Sequence, residues 1–146
     1  MKWIEKTFEE LTTKELYQIL QLRAEVFVVE QDCVYQDVDT KDFSSLHILG
    51  FDKKHLAAYA RIVKPGVTFK EMSIGRVVVS PTHRGIRLGE RLMLKSIQFI
   101  ENKLGMQPIR ISAQSHLQKF YSDLGFVFTG KKYLEDGIPH VEMLRE

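Results

Sequence analysis

The stretch that decides the fold is SPTHRGIRLGERLML, residues 80–94. It follows a run of three valines at 77–79, and it holds Gly85 and Gly89 among basic residues just before an amphipathic pattern begins. A strand that passes through a glycine-rich loop into a helix exposes backbone N–H groups that have no intrahelical partner. Because the helix dipole adds partial positive charge at the same place, the stretch predicts a loop that binds phosphate or pyrophosphate.

The spacing within this loop excludes two common nucleotide-binding motifs. No G-x-x-x-x-G-K-[ST] occurs, and G-x-G-x-x-G is absent because the loop has only Gly85 and Gly89, four residues apart. Arg84 and Arg87 add full positive charges. From these residues alone, a tight strand-to-helix turn with two surface arginines is an equally good interpretation.

Hydrophobic periodicity on both sides of the loop predicts a mixed α/β fold. The segment LGERLMLKSIQFIENKL (88–104) has one apolar stripe at helical spacing. Alternating and β-branched segments predict seven strands, and the predicted order is β-α-β-β-β-α-β-α-β-β. We expect an antiparallel hairpin in the middle of the sheet and parallel strands across the long helix.

Length and composition limit the classes of function. The chain has 146 residues, of which 44% are hydrophobic and 27% charged, as expected for one globular domain over residues 1–146. A formal net charge of +2, without a basic stripe, argues against nucleic acid. Cys33 is the only cysteine, so neither an internal disulfide nor a zinc cluster is expected. No apolar run approaches the ~20 residues that span a membrane, and no secretory signal is recognised, so we expect a cytoplasmic protein.

Several motifs together resemble the GNAT N-acetyltransferase superfamily, whose signature between a strand and a helix is [QR]-x-x-G-x-[GA]. RGIRLG (84–89) supplies its first and last places, whereas Arg87 stands where the family has glycine. KFYSDLGFVFTG (119–130) resembles the family's F-Y-x-x-x-G-F segment, and LRAEVFVVEQ (22–31) and YLEDGIPHVEM (133–143) are similar to the ElaA-type branch. A non-glycine residue such as Arg87 can serve at this place if its φ is negative, and the sequence leaves open whether it weakens binding of the coenzyme.

The resemblance implies an acyl-CoA N-acyltransferase fold and a reaction. An acetyl group passes from acetyl-CoA, as cosubstrate, to a primary amine of a small molecule or peptide by direct attack in a ternary complex, without a metal. The implied coenzyme-binding residues are the signature loop, the preceding strand and one polar residue: Arg84, Gly85, Ile86, Arg87, Leu88, Gly89, Val77, Val78, Val79 and Gln114.

The resemblance also implies an acid, and it leaves the base open. Tyr121, in the F-Y segment, is the candidate that protonates or hydrogen-bonds the departing thiolate. Many family members place a glutamate eleven residues before the first signature position, but this chain has Ser73 there. The remaining candidates for the base are Glu71, on the same strand face, and His140, whose imidazole titrates near neutral pH, as well as Glu30 and Gln31. A base that acts through water is equally compatible with the sequence.

An acidic segment precedes the second strand. Its acidic residues include Glu30, Asp39 and Asp42, and in this fold it is expected to face the entrance for the acceptor, where it would attract a cationic amine. Glu30, Gln31, Asp39 and Asp42 are therefore the candidate substrate-binding residues. Aspartates that cap turns in a solvated loop are an equally good interpretation.

Two alternatives to an amine acetyltransferase follow from the same residues. Arg87 and the missing strand glutamate suggest a non-catalytic module that binds acyl-CoA. The segment LRAEVF (22–27), with Asp39 and Asp42, resembles the acyl-homoserine lactone synthases. We expect no nucleic-acid or membrane partner, and the final strands could pair across a homodimer.

Overall fold

The computed structural model describes residues 1–146. The chain forms seven strands and three α-helices in the predicted order, so the predicted mixed α/β fold is confirmed. The elements are β1 (Lys2–Thr7), α1 (Thr13–Arg23), β2 (Leu46–Asp52), β3 (His55–Val63), β4 (Ser73–Val79), α2 (Leu88–Phe99), β5 (Ile109–Gln114), α3 (Gln118–Ser122), β6 (Val127–Glu135) and β7 (Ile138–Arg145). Short π-helical segments, Ala24–Glu30 and Ile100–Leu104, extend α1 and α2.

The strands form two antiparallel sheets that meet at one point. The first sheet has the order β1-β2-β3-β4, and the second has the order β5-β7-β6. Met72 and Ile109 form a single parallel bridge between the sheets, and the N–H of Arg110 donates to the carbonyl of Met72 at 2.9 Å. Beyond this bridge β4 and β5 have no further pairing, so each keeps one free backbone edge.

Local sequence signals explain how α1 begins and which face it buries. The hydroxyl of Thr12 accepts from the Glu15 N–H at 3.1 Å, and the Glu15 carboxylate accepts from the Thr12 N–H at 2.8 Å. This reciprocal capping box satisfies two N–H groups that would otherwise lack partners. The helix then buries Ile19 and Leu22 against the first sheet.

The larger of two hydrophobic clusters lies between α2 and the two sheets. Leu92, Met93 and Ile100 on the inner face of α2 and its extension are fully buried there, which confirms the predicted apolar stripe. No helix of the protein combines the length and the apolar character needed to cross a membrane.

A two-residue turn joins β6 to β7. Asp136 and Gly137 have φ values of +52° and +77°, the left-handed pair that a type I′ hairpin turn requires. Glu135 and Ile138 close the hairpin as paired residues. Such a tight turn fixes the tip of this hairpin.

Candidate active site

A cleft of about 500 Å³ opens where β4 and β5 separate. One side is formed by β4 and the loop before α2, and the other by β5, α3 and the tip of the β6–β7 hairpin. The extension of α1 covers one end. The charged or titratable residues that line the cleft are Glu30, Cys33, Tyr35, Arg76, Arg84, His116, Tyr121, Glu135, Asp136 and His140.

The N-terminus of α2 lies at this cleft without a side-chain cap. The first backbone bond of the helix runs from the Arg91 N–H to the carbonyl of Arg87, at 3.2 Å. The N–H groups of Leu88, Gly89 and Glu90 precede it and have no intrahelical acceptor. These groups and the helix dipole suit an anion such as a pyrophosphate.

Arg87 corrects one prediction about this loop. We expected a non-glycine residue to serve with a negative φ, but Arg87 has φ +58° and ψ 28°, the left-handed conformation that glycine adopts readily. The loop turns through Gly85 at φ +85° and needs a second left-handed residue to enter the helix. An L-residue pays about 1–2 kcal/mol for that conformation. The Arg87 side chain is 85% exposed, so the backbone follows the path of a glycine while the side chain extends into solvent.

Gly89 is not required by packing within the chain. A Cβ at this position would lie 3.7 Å from Phe120 and 3.8 Å from Val79, which are ordinary contacts. Its absence leaves space on the cleft side, as a close-approaching phosphate would need. A second depression of about 290 Å³ adjoins the loop and is lined by Arg84, Gly85, Arg87, Leu88 and Gly89, among others. Of the loop residues predicted to bind the coenzyme, only Ile86 lines neither cavity, and 56% of this residue is exposed.

Arg84 and Glu30 join the loop before α2 to the extension of α1. The guanidinium donates to both carboxylate oxygens of Glu30 at 2.7 Å. This bond raises the pKa of Arg84 and lowers the pKa of Glu30. Arg84, which we predicted to bind the pyrophosphate, and Glu30, which we predicted to bind the acceptor, therefore form an ion pair with each other at the cleft.

The backbone of β4 is irregular where it lines the cleft. The register against β3 shifts by one residue between Gly75 and Val78, and Arg76 has φ +50° at this bulge. Val78 and Val79 pair with β3 on one side, and the opposite edge of β4 is free beyond Met72. A free edge of this kind can pair with an extended ligand as a further strand does.

Tyr121 lies on α3 and faces the cleft. Only 7% of the residue is exposed, yet its hydroxyl forms no hydrogen bond within the chain. Burial raises the pKa of this phenol to about 12, so it stays protonated at neutral pH. Phe120 contacts it edge-on, with ring centroids 5.0 Å apart. The Tyr121 hydroxyl is therefore an unused donor in an apolar part of the cleft.

His140, on β7, has a defined hydrogen-bonding state. Its Nδ1 lies 2.7 Å from the carbonyl of Ile138, and because a carbonyl only accepts, Nδ1 carries a proton. The other ring nitrogen, Nε2, lies 3.3 Å from the Glu135 carboxylate. The ring also stacks on Tyr133 at 6.0 Å between centroids. The structure thus places this predicted base in the lining of the cleft, and its Nε2 forms no hydrogen bond within the chain.

Glu71 is not brought to the cleft. Arg110 donates to its two carboxylate oxygens at 2.8 and 3.0 Å, and this hydrogen bonding lowers the pKa of Glu71. The residue precedes β4 beside the bridge between the sheets, where the strands are still close together. We expected it to share a strand face with Ser73, but it lies before β4, and neither residue lines the cleft.

Asp39 and Asp42 also lie outside the cleft, so the expectation that they meet the acceptor is corrected. The acidic segment folds inward, where three aspartates pair with three arginines: Asp37, Asp39 and Asp42 with Arg23, Arg61 and Arg76. The physical reason is charge compensation, because buried arginines require counter-ions. Burial opposes ionisation of Asp39, but hydrogen bonds from Arg61 outweigh it and lower the pKa of Asp39 to about 2.

Gln31 and Gln114 face each other across the cleft. Their side-chain amides lie 3.3 and 3.5 Å apart, so the end of β5 is tied to the extension of α1. Both residues line the cleft as predicted for ligand-binding groups. A ligand amide that binds Gln114 would replace this partner.

The sequence reasoning missed three charged residues of the cleft: Arg76, Glu135 and Asp136. Arg76 lies in a segment that the sequence predicted only as a regular strand. The bulge that turns Arg76 into the cleft leaves no recognisable pattern in such a segment. Glu135 and Asp136 could have been predicted, because the Asp-Gly pair marks a tight hairpin turn and both residues belong to its tip.

Comparisons with known proteins agree with this geometry. The family model described as "Acetyltransferase (GNAT) domain" matches residues 9–146. Protein ElaA of Escherichia coli (strain K12) is 43% identical over 148 residues, which cover 100% of this chain and 97% of ElaA. The crystal structure of Escherichia coli ElaA superimposes with a TM-score of 0.91 at 42% identity, with 100% of each chain covered.

Two further solved structures share the fold. An acyl-CoA N-acyltransferase from Pseudomonas aeruginosa has a TM-score of 0.93 and 44% identity, with 100% of each chain covered. An aminoglycoside 6'-N-acetyltransferase complexed with coenzyme A has a TM-score of 0.71, with 97% of this chain and 96% of that chain covered. At 15% identity, the latter likeness concerns the fold alone.

Proposed function

The chain belongs to the GNAT acetyltransferase family, and we propose that it moves an acetyl group from acetyl-CoA to a primary amine of a small molecule or peptide. The amine attacks the thioester directly in a ternary complex. The observation that carries this proposal is the uncapped N-terminus of α2 beside a cleft that follows the free edge of β4. An acyl-CoA requires an anion-binding loop and a strand edge side by side.

The coenzyme portion would be held mainly by backbone groups. The N–H groups of Leu88, Gly89 and Glu90 bind the pyrophosphate, and Arg84 adds a charge once it leaves Glu30. The free edge of Val77–Val79 binds the extended pantetheine arm, because no strand pairs with it on that side and the Val79 carbonyl accepts only a long bond of 3.5 Å from Arg84. These groups orient the thioester before the amine arrives.

Tyr121 stabilises the leaving thiolate. Its pKa of about 12 lies above the ~8.5 that is ordinary for a thiol, so complete proton transfer to the sulfur is uphill. The phenol instead donates a hydrogen bond to the sulfur as negative charge develops there, and the thiolate takes its proton from solvent after release. A buried donor without another partner is well suited to this role, since no existing bond must be broken.

His140 is the proposed general base. The tautomer fixed by Ile138 leaves the lone pair of Nε2 free to take a proton from the attacking nitrogen. Electrons then flow from the nitrogen to the carbonyl carbon and, when the tetrahedral intermediate collapses, to the sulfur. The proton ends on His140 and passes to solvent.

The nature of the cleft floor favours a short acyl group. Ile74, Ile111 and Tyr121 line the cleft and also belong to the larger hydrophobic cluster of the core. The cleft therefore ends on closely packed side chains. The proposal further includes a cytoplasmic location, a reaction without a metal ion, and no nucleic-acid or membrane partner.

Binding and turnover test the proposal separately. Calorimetric titration should show that acetyl-CoA and CoA bind, and that Arg84→Ala weakens both. A thiol-release assay with acetyl-CoA and a panel of amines should show turnover, and Tyr121→Phe should lower it about 100-fold with little change in acetyl-CoA affinity. Tyr17→Phe, at an exposed tyrosine outside the cleft, is the matched control.

Each result has a clear meaning. Absence of coenzyme binding would contradict the assignment of the loop. Binding without thiol release for any amine would indicate an acyl-CoA sensor instead of an enzyme. Unchanged turnover in Tyr121→Phe would remove the tyrosine from the mechanism.

A further inference from the structure

We propose that the acceptor is a diamine or polyamine, which carries a second positive charge besides the reacting amine, and that Glu135 and Asp136 bind this charge. The inference rests on the proposed function, since it names the class of amine that the cleft selects. It depends on the balance of charge in the cleft and on the contact between His140 and Glu135.

Both cations of the cleft already have carboxylate partners. Arg84 is held by both oxygens of Glu30. Arg76 donates to Asp37 at 2.8 Å and lies 3.4 Å from the carboxylate of Asp39. Neither arginine pairs with Glu135 or Asp136, and Arg84 turns to the pyrophosphate when the coenzyme binds.

Glu135 and Asp136 are the carboxylates of the cleft that have no lysine or arginine partner. Glu135 has only His140 beside it, at 3.3 Å, and the Asp136 side chain forms no hydrogen bond. Lys131, on the same strand as Glu135, lies over the Tyr133 ring and is not part of the lining. The acceptor end of the cleft thus carries two carboxylates without a lysine or arginine counter-ion, which favour a ligand with more than one positive charge.

His140 supplies a second, independent observation. Its Nε2 lies 3.3 Å from the Glu135 carboxylate but forms no hydrogen bond within the chain, although only 7% of the residue is exposed. A buried polar atom that lines the cleft without a hydrogen bond points to a ligand group as its partner. A reacting amine bound at Nε2 lies beside Glu135, so a second positive charge on the same ligand would meet the carboxylates of the hairpin tip.

The two carboxylates are held on a rigid support. The type I′ turn at Asp136–Gly137 leaves the hairpin tip little freedom. The thiol of Cys33 donates to the carbonyl of Asp136 at 3.4 Å, which ties the tip to the segment after α1. Because the carboxylates do not have to be ordered on binding, more of their attraction for a cation appears as affinity.

Three acceptors of similar length test the inference in a thiol-release assay with acetyl-CoA. Putrescine has two amines, n-butylamine has one, and γ-aminobutyrate replaces the second amine by a carboxylate. We expect kcat/KM for putrescine to exceed that for n-butylamine by about tenfold, the size of one charge-assisted contact, and γ-aminobutyrate to be the poorest acceptor. Glu135→Gln and Asp136→Asn should each reduce the preference for putrescine, whereas Glu9→Gln, at an exposed carboxylate outside the cleft, should leave it unchanged.

The outcomes separate this inference from the proposed function. Thiol release with equal kcat/KM for putrescine and n-butylamine would overturn the inference and leave the acetyltransferase intact. If no amine releases thiol, the proposed function fails, and calorimetric titration of putrescine into the CoA-bound protein then tests the charge site without turnover. Absence of putrescine binding, or binding that neither variant weakens, would also overturn the inference.

Discussion

Replacing Arg23 by methionine tests the role of the buried ion-pair cluster most directly. The guanidinium is fully buried and donates to Asp37 at 2.8 Å, to Asp42 at 2.7 Å and to the Asp37 carbonyl at 3.1 Å. Methionine has a similar length but cannot donate. Asp37 would keep Arg76 as a partner, whereas Asp42 would keep only Arg61, at 3.2 Å.

The structure sets the size of the expected loss. One oxygen of Asp42 already lacks a hydrogen-bond partner in the native protein, so loss of Arg23 leaves a buried carboxylate severely undercompensated. Breaking a buried pair from one side typically costs about 3–5 kcal/mol. Against a total stability of about 5–15 kcal/mol, this is a large part of the free energy of unfolding. The melting temperature should fall by about 6–20 °C.

Urea denaturation followed by circular dichroism measures this loss. Lys119→Met is the control, because Lys119 and Asp123 form an exposed pair at 3.4 Å that should contribute less than about 0.5 kcal/mol. Adding Asp42→Asn to Arg23→Met removes the orphaned charge and should restore at least about 1 kcal/mol. If Arg23→Met loses no more free energy of unfolding than Lys119→Met, charge compensation by Arg23 does not hold the segment of Asp37 and Asp42 against the protein.

Two further predictions concern the backbone and the pH dependence of stability. Arg87→Gly should be more stable than Arg87→Ala by about 1 kcal/mol in urea denaturation, because only glycine removes the left-handed strain; the opposite ranking would contradict the φ of +58°. Because the pKa of Asp39 is lowered to about 2, its ionised carboxylate stabilises the folded state above about pH 4, and this stabilisation is lost as the pH falls toward about 2. Asp39→Asn should therefore lose less stability than the native protein over that interval, and parallel acid titrations of the two would contradict the assignment.

The fold could be predicted from the sequence because its signals are local. The apolar stripe that begins at Leu88, the cap at Thr12 and the Asp136–Gly137 turn each depend on a few neighbouring residues. The burial of Arg23 depends instead on residues far away along the chain. Its partners Asp37 and Asp42 lie 14 and 19 residues away along the chain, a distance that no local pattern covers.

The candidate site could be predicted only in part, for related physical reasons. The loop before α2 was recognised because an anion-binding helix N-terminus is itself a local motif. We predicted that Asp39 and Asp42 meet the acceptor, which is wrong. An acidic segment does not reveal whether its side chains face a ligand or pair with arginines of the same chain. Glu71 was misplaced because strand alternation gives the face of a residue but not the point at which two sheets separate. Glu135 was missed because its importance arises from His140, on the next strand.

The free edge of β4 also bears on how long the protein survives in a cell. An unpaired strand edge in a half-open sheet is the kind of surface at which proteases and aggregating chains gain access. A ligand that pairs with this edge stabilises the native state by an amount that grows with the logarithm of its concentration. For the acyl-CoA ligand proposed above, we therefore expect the abundance of the protein to follow the supply of that ligand: cells short of acyl-CoA would degrade the protein faster, and cells well supplied with it would retain it.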